Sequence, residues 1–261
     1  MTSPWAHDAE IQDQFTRQAE PFARRHGNRQ DNVLDAMAEC AALASDSAIL
    51  DVACGPGIVS CFFATRVRHV TGIDIVPAML DRARKLQSER GLANIDWQLG
   101  SSTELPFPDA SFDGVVTRFS FHHFLDPIAA LREMARVAKP GATVVVCDVA
   151  PSPATQTAFN QWETLRDPSH TRALTEEELS VLGDKAGLNR LRKAHPPLEM
   201  GLEDLLAGSF PKPGNADRIR GLFEEELRSE TNRLGVSARR AEGRVQITYP
   251  VLAMAWRVAT P

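Results

Sequence analysis

The chain has 261 residues, 43% hydrophobic and 24% charged, with 29 basic against 34 acidic side chains and a net charge of −5. That balance excludes a disordered, collagen-like or coiled-coil chain and suits one large α/β domain, or one domain with a sizeable insertion. The acidic total lacks the basic surplus of a protein built to grip phosphate backbones, which disfavours nucleic acid as a partner. No run approaches 18 uncharged apolar residues, so no membrane span is expected. The polar start, Met1 to Glu20, reads as neither a signal peptide nor a targeting segment. Cys40, Cys54, Cys61 and Cys147 form no Cys-x-x-Cys pair and no metal-binding cluster. They read as buried free thiols of a reducing compartment, and the expected location is cytoplasmic.

His7 to Arg25 and Asn28 to Leu43 carry helical spacing. Ala48 to Ala53 is a short apolar run ending at Cys54-Gly55-Pro56-Gly57, a buried strand entering a glycine loop. Ile58 to Val67 reads as a helix and Val70 to Asp74 as a second strand. Pro77 suits the first turn of the next helix, whose apolar stripe is Met79, Ala83 and Leu86. Ile95 to Leu99 and Phe112 to Thr117 are the third and fourth strands. Asp126 caps a helix with Pro127 in its first turn, and Lys139-Pro140-Gly141 stops it. Thr143 to Val149 is a fifth strand. The alternation of strand and helix to about Pro151 is the signature of a doubly wound parallel sheet.

Beyond Pro151 the rhythm changes. Ala154 to Arg166 looks helical, and Thr175-Glu176-Glu177-Glu178 is a capping box opening another helix. Leu188 to Leu198 reads as one strand and residues 201–240 as an inserted helical segment. Val245 to Val258 reads as a final strand, where Pro250 suggests an edge or a bulge. An apolar edge there would let two copies pair as a homodimer, which nothing in the sequence requires.

The informative unit is the first strand with its loop. A Gly-x-Gly turn lets a ligand approach the backbone, and the helix that follows adds oriented N–H groups. Asp74 lies 19 residues beyond Gly55, at the end of the second strand, where a carboxylate can accept both ribose hydroxyls of an adenosine. A dinucleotide fingerprint wants glycine or alanine where Ser60 stands, and gives no reason for the acid Asp51 inside the first strand. A carboxylate there suits a cationic group. S-adenosylmethionine carries an ammonium and a sulfonium and no phosphate. A nicotinamide-dependent oxidoreductase is the weaker second reading.

The sequence resembles class I S-adenosylmethionine-dependent methyltransferases, in particular the ubiquinone/menaquinone-biosynthesis-like (methyltransferase type 11) group. LDVACGPG is similar to the family's first motif and VTGIDIVPAMLDRAR to its second. GSSTELPFPDASFDGVV with FHHFLDPIAALREMARVAKPGA resembles the third, through to the fifth strand. QFTRQAEPFARR resembles an N-terminal lid helix, and LRDPSHTR an element of a smaller bacterial subgroup. The resemblance implies a Rossmann-like, doubly wound seven-stranded sheet, mostly parallel with an antiparallel last strand, plus helical cap insertions. It implies lid helices over residues 1–45 and an S-adenosylmethionine-binding core over 46–150. Residues 151–261 would complete the sheet, with cap insertions 151–174 and 201–240 forming the acceptor pocket.

The resemblance also implies roles. Asp51, Ala53 and the Gly55–Gly57 backbone would hold the methionine part and Asp74 the ribose, with Ile75 and Met79 against the adenine. Ser101 stands where many relatives have an aspartate for the adenine amino group, and the neighbouring Ser102 backbone is its alternative. Arg118 and Phe119, after the fourth strand, would complete the cofactor set. On the substrate side Arg118 pairs either with an acceptor anion or with a lid acid. The doublet His122-His123 either shapes its loop or supplies a general base. His170 and Arg172, with Arg166 and Asp167, either serve an anionic or enolizable acceptor with His170 as base, or pair internally in a capped turn. Phe15 and Phe22 are either lid or core.

The implied reaction is an in-line displacement at the sulfonium methyl, which asks for positioning and water exclusion rather than a fixed catalytic triad. No Asn/Asp-Pro-Pro-aromatic motif follows the fourth strand, which disfavours amino-methylation of DNA bases or glutamine. The expected activity is methyl transfer to a small-molecule acceptor, with no metal. A cofactor-binding sensor without transfer and an RNA methyltransferase are the alternatives.

Overall fold

The computed structural model describes residues 4–26, 32–229 and 231–260. The side chains of residues 4–6 and 20–26, Phe22 among them, lie outside the description, as does the segment 27–31 where the second helix was expected to open. Two helices, α1 (Pro4–His26) and α2 (Asn32–Ala41), precede β1 (Ala48–Val52), α3 (Ile58–Ala64), β2 (His69–Asp74), α4 (Pro77–Glu89) and β3 (Ile95–Leu99). Then come β4 (Phe112–Arg118), a 3₁₀ turn (Phe121–His123), α5 (Pro127–Val137) and β5 (Ala138–Val149). The remainder is α6 (Gln156–Arg166), α7 (Glu176–Lys185), β6 (Leu188–Ala194), β7 (Pro197–Gly201), α8 (Leu202–Ala207), α9 (Asn215–Ser229), β8 (Ser237–Ala241) and β9 (Arg244–Val258).

Local chemistry explains many of these boundaries. The Asp126 carboxylate accepts the Ala129 N–H at 3.1 Å and opens α5. Thr175 and Glu178 form the capping box of α7, the Thr175 hydroxyl accepting the Glu178 N–H and the Glu178 carboxylate the Thr175 N–H. Ile49 and Leu50 are both fully buried, in clusters on opposite faces of the sheet, which is why β1 reads as an unbroken apolar run.

The sheet runs β3-β2-β1-β4-β5-β9-β6. β3, β2, β1, β4 and β5 run parallel to one another, and β9 is antiparallel to both β5 and β6. This is the mostly parallel, doubly wound fold expected, but with nine strands rather than seven, because β7 and β8 also pair with β9. Three further expectations are corrected. Leu188 to Leu198 is two strands, and the segment 201–240 contains β8 besides its helices. The last strand is not an edge. Residues 251–258 lie between β5 and β6, while Thr248 faces Glu199 on one side and Ser237 on the other. Both flanks of β9 are taken, which removes the edge expected to pair two copies. Pro250 sits where β9 exchanges one set of partners for the other, and its carbonyl accepts the Ala150 N–H at 2.7 Å. The missing proline N–H falls at that exchange point. Among the described residues no helix is long and apolar enough to cross a membrane.

β1 and β4 lie side by side, yet the chain leaves them in opposite directions, toward β2 and toward β5. Their carboxyl ends therefore part and leave a crevice, where ligands bind in open α/β sheets.

Helix α7 meets the sheet at Gly183, where a Cβ would fall 2.1 Å from the Trp256 indole Nε1. Gly→Ala inside a helix ordinarily gains about 0.5–1 kcal/mol. Here Gly183→Ala is expected to lose about 1–3 kcal/mol through overpacking, read from the urea unfolding midpoint. A gain would show that Trp256 yields freely.

Candidate active site

A cavity of about 460 Å³ opens in that crevice, within the range of small-molecule sites. Its first end is built by the loops after β1 to β4. Gly55 has φ +53°, and a Cβ there would meet nothing within 4 Å, so the loop presents bare backbone to open space. Gly57 has φ +80° and a different task. A Cβ there would press to 2.7 Å from the Trp97 ring and 2.9 Å from the Ala83 Cβ, so this glycine lets α3 approach α4 and β3.

Asp74 ties the loop in place. One carboxylate oxygen accepts the Gly55 N–H at 2.7 Å and the other the Val76 N–H at 2.9 Å. Burial pushes its pKa up to about 6 against these hydrogen bonds. Asp51 is buried in β1, where one oxygen accepts the Ser60 hydroxyl at 2.6 Å and the other has no hydrogen-bond partner. Burial raises it to about 7, opposed by Ser60 and by the Arg118 charge. Ser60, the residue that breaks the dinucleotide fingerprint, is thus the partner that Asp51 needs.

Of the residues expected around a cofactor, Ala53, Gly55, Asp74, Ile75, Met79, Ser101, Ser102, Arg118 and Phe119 line the cavity. Asp51 and Gly57 do not, and stand behind the loop. The Ser101 hydroxyl shares a 3.0 Å hydrogen bond with Thr103. The Arg118 guanidinium lies 5.2 Å from the centre of the Phe119 ring.

The second end centres on the histidine doublet. His122 lines the cavity and its Nδ1 lies 2.5 Å from an Asp148 oxygen, while its backbone N–H donates to the other at 3.1 Å. Burial lowers the His122 pKa, Asp148 raises it, and the net direction is up. His123 also lines the cavity, with its Nδ1 3.0 Å from the Ser169 carbonyl. Burial, reinforced by His122, pushes it down to about 3. Helix α1 closes over the doublet: His7 Nε2 donates to the His123 carbonyl at 2.7 Å, and the Phe15 ring meets His123 edge-on at 4.9 Å.

The expectation for His170 and Arg172 meets a different geometry. The Thr171 N–H and hydroxyl both donate to the His122 carbonyl at 2.8 Å and turn the segment. His170 then packs behind the doublet, its Nε2 on Asn160 at 2.7 Å, with burial driving its pKa far down. Arg172 points outward to Glu178. Neither lines the cavity.

Glu163 and Tyr249 are among the lining residues that the sequence reading did not single out. Glu163 on α6 is buried, accepting the Tyr249 hydroxyl at 2.7 Å and the Arg166 guanidinium at 2.6 and 2.9 Å. Tyr249 is the chain's single tyrosine, the one signal that pointed to it. Arg166 is raised by Glu163 despite its burial. Asp167 accepts Gln18 Nε2 from α1 at 2.9 Å; burial raises its pKa, but His123, Arg166 and its hydrogen bonds hold it below the usual range. Among the described residues no group of three or more His, Cys, Asp or Glu side chains forms a metal site.

Comparison with known proteins fits this geometry. The methyltransferase-domain family matches residues 50–146. Uncharacterized methyltransferase YcgJ of Bacillus subtilis is 31% identical over 189 residues, 71% of this chain and 75% of that protein. The chain belongs to the S-adenosylmethionine-dependent methyltransferases. The crystal structure of YcgJ shares the fold of this methyltransferase with a TM-score of 0.77 at 23% identity, over 88% of this chain and 99% of that one. Demethylmenaquinone methyltransferase of Listeria monocytogenes is 39% identical over 105 residues, 39% of this chain and 44% of that protein. The methyltransferase thus spans less than half of that relative's length.

The raised carboxylates fix a sign for stability. Asp51 keeps its proton in the folded methyltransferase to about pH 7, whereas an unfolded aspartate loses it near 3.8. The folded chain then binds more protons across that window, so its stability falls as pH rises from about 4 to 7. Asp51→Asn removes this loss. Its melting temperature relative to wild type is expected to be higher at pH 8 than at pH 5, and a difference that does not grow with pH would contradict a buried, raised Asp51.

Proposed function

We propose that the methyltransferase passes the methyl group of S-adenosylmethionine to a small-molecule acceptor. The observation that carries this reading is a single cavity bordered by Gly55 and Asp74 at one end and by His122, Glu163 and Tyr249 at the other.

The residues present fit the cofactor. The space over Gly55 admits a ligand against bare backbone, and the buried unpartnered oxygen of Asp51 adds negative potential behind a cationic group. Asp74 uses one lone pair of each oxygen on the backbone, leaving others for ribose hydroxyls. Ile75 and Met79 would flank the adenine, with Ser101 or the Ser102 backbone at its rim. Bound S-adenosylmethionine supplies a methyl group on a sulfonium, an electrophile with an excellent leaving group.

The protein's part is placement and dryness. Phe15 and Ile11 of α1 wall the cavity from one side, and Leu198, Met200 and Leu205 from another. Glu163, Arg166 and Tyr249 hold one another in fixed geometry and set the polar contour that an acceptor meets. Residues 1–45 act as lid, 46–150 as cofactor core, and 151–261 as the acceptor-selecting part. The enclosed volume and the acidic net charge favour a metabolite over an RNA. A cytoplasmic site of action accords with four cysteines that are all free and buried.

Calorimetry with S-adenosylhomocysteine tests the cofactor reading. Wild type is expected to bind, and Asp74→Ala to bind at least about tenfold more weakly, a loss near 1.4 kcal/mol. Wild-type affinity is expected to fall as pH drops below about 6, where Asp74 takes up its proton, and Asp74→Asn to flatten that dependence. Incubation with labelled S-adenosylmethionine and a bacterial small-molecule extract is expected to label a metabolite. Absence of binding by wild type would overturn the reading. Binding with no transfer to small or large molecules would favour a sensor.

A further inference from the structure

Arg166, the last residue of α6, has a side chain only 11% exposed, and it lines the second end of the cavity. Its neighbours account for three of its hydrogens. Nε and one Nη donate to a single Glu163 oxygen at 2.9 and 2.6 Å, and the other Nη donates to the Ser209 hydroxyl at 3.0 Å. Each partner is fixed in turn. The Glu163 carboxylate also accepts the Tyr249 hydroxyl at 2.7 Å, and the Ser209 hydroxyl donates its own hydrogen to the Leu205 carbonyl at 2.6 Å. A guanidinium carries five N–H groups in a rigid plane. Two therefore remain, one on each Nη, with no partner among the described residues. The Asp167 carboxylate stands 3.8 Å from the guanidinium, beyond hydrogen-bond reach, and its oxygens take Gln18 Nε2 and the Ser169 N–H and hydroxyl instead.

Resting on the methyl-transfer reading above, we propose that Arg166 is a specificity-determining residue whose two remaining N–H groups hold a neutral oxygen of the methyl acceptor. The methyl acceptor is then an uncharged molecule, apolar in its body, that carries a carbonyl or ether oxygen. Two buried donors cost free energy until an oxygen accepts them, so a molecule that brings one binds better than the same shape without it. Glu163 and Ser209 hold the guanidinium from two sides before any ligand arrives, so little freedom is lost when it is used.

Charge separates this class from its rivals. Glu163 and Asp167 set two carboxylates against one guanidinium. A carboxylate or phosphate on the ligand would meet a positive charge that is already cancelled, and would shed its water to do so. His123 and His170 add no positive charge, since burial pushes both down, and any charge on His122 is matched by Asp148. A cation would find negative potential there. Yet Tyr249, Arg166, Gln18 and Ser169 already engage the carboxylate oxygens, and a cation leaves both remaining Arg166 hydrogens without an acceptor. The wall beside them is apolar, with Leu198, Met200 and Leu205, which suits an uncharged body.

The test uses the full chain saturated with S-adenosylhomocysteine and four probes of nearly one shape: acetophenone, α-methylstyrene, benzoate and 1-phenylethylammonium. Calorimetry gives each dissociation constant. Acetophenone is expected to bind at least about tenfold more tightly than α-methylstyrene, and more tightly than either ion. Its carbonyl stretch in the infrared is expected at lower frequency when bound than in hexane, the signature of an accepted hydrogen bond. Arg166→Lys keeps a charge beside Glu163 but loses the planar fork. Its preference for ketone over olefin should shrink to about threefold or less, and the carbonyl stretch should rise. Where Arg166→Lys does not fold, the four wild-type constants and the wild-type stretch decide alone. Equal binding of ketone and olefin, a preference for benzoate or for the ammonium, or a preference unmoved in folded Arg166→Lys overturns the proposal. Binding of none of the four overturns it as well, while S-adenosylhomocysteine binding upholds the cofactor reading. Failure of that binding in wild type fells the reading beneath.

Discussion

The divergence of two loops at the carboxyl ends of β1 and β4 is the constraint on which the cavity depends. Both strands end in a left-handed residue that is not glycine, Ala53 and Phe119, each at φ +53°. Each costs on the order of 1–2 kcal/mol relative to an extended residue. The surrounding hydrogen bonds over-determine them. Cys54 N–H donates to the Ile73 carbonyl at 3.0 Å and Phe119 N–H to the Cys147 carbonyl at 2.8 Å. The Thr117 hydroxyl donates to the Val52 carbonyl at 2.6 Å and so ties the two strand ends together. Strain is held where the backbone must turn away from the sheet and leave a crevice.

Charge is arranged differently at the two ends of that crevice. At the glycine loop, Asp51 and Asp74 are buried against hydroxyl and backbone donors, and burial raises both. Such carboxylates give up stability at neutral pH and keep negative potential for a cationic ligand. At the far end Glu163, Arg166 and Asp167 satisfy one another, Tyr249 and Gln18, so the ions there are already paired. A paired network resists rearrangement and defines shape. The first end is built to gain from binding a charge, the second to present a fixed outline.

The glycine-loop end of the cavity was largely legible in the sequence because its signals are local. The strand, the glycine turn, Asp51 and Asp74 lie within the 27 residues from Ala48 to Asp74, and the β3 boundaries Ile95–Leu99 fall where the pattern put them. The Asp126 cap and the Thr175 capping box are likewise three-residue chemistry. The acceptor end is long-range chemistry. Glu163 meets Tyr249 across 86 residues and His122 meets Asp148 across 26. Asp148 hides at the end of an apolar strand, and nothing nearby announces its partner. His170 read as either a base or part of a capped turn, and the turn at Thr171, set by the distant His122 carbonyl, packs it behind the doublet. The extra strands β7 and β8 were missed because their partner is the far half of a strand already counted once.

That strand explains how one wall of the cavity can vary while the glycine-loop end stays fixed. The family match stops at residue 146. Glu163, Arg166, Leu198, Met200, Leu205 and Tyr249 all lie beyond it and all line the cavity. Leu198, Met200 and Tyr249 sit on β7 and β9, and residues 251–258 of β9 complete the main sheet while its first half carries β7 and β8. Tyr249 sits beside Pro250, where the strand changes partners, and its hydroxyl fixes Glu163. Substitutions in β7, β8 or the helices between them alter the wall that Tyr249 and Met200 present, without touching the hydrogen bonds that hold Gly55 and Asp74. Packing beyond residue 146 can therefore reshape one wall of the cavity while the hydrogen bonds that hold Gly55 and Asp74 stay as they are.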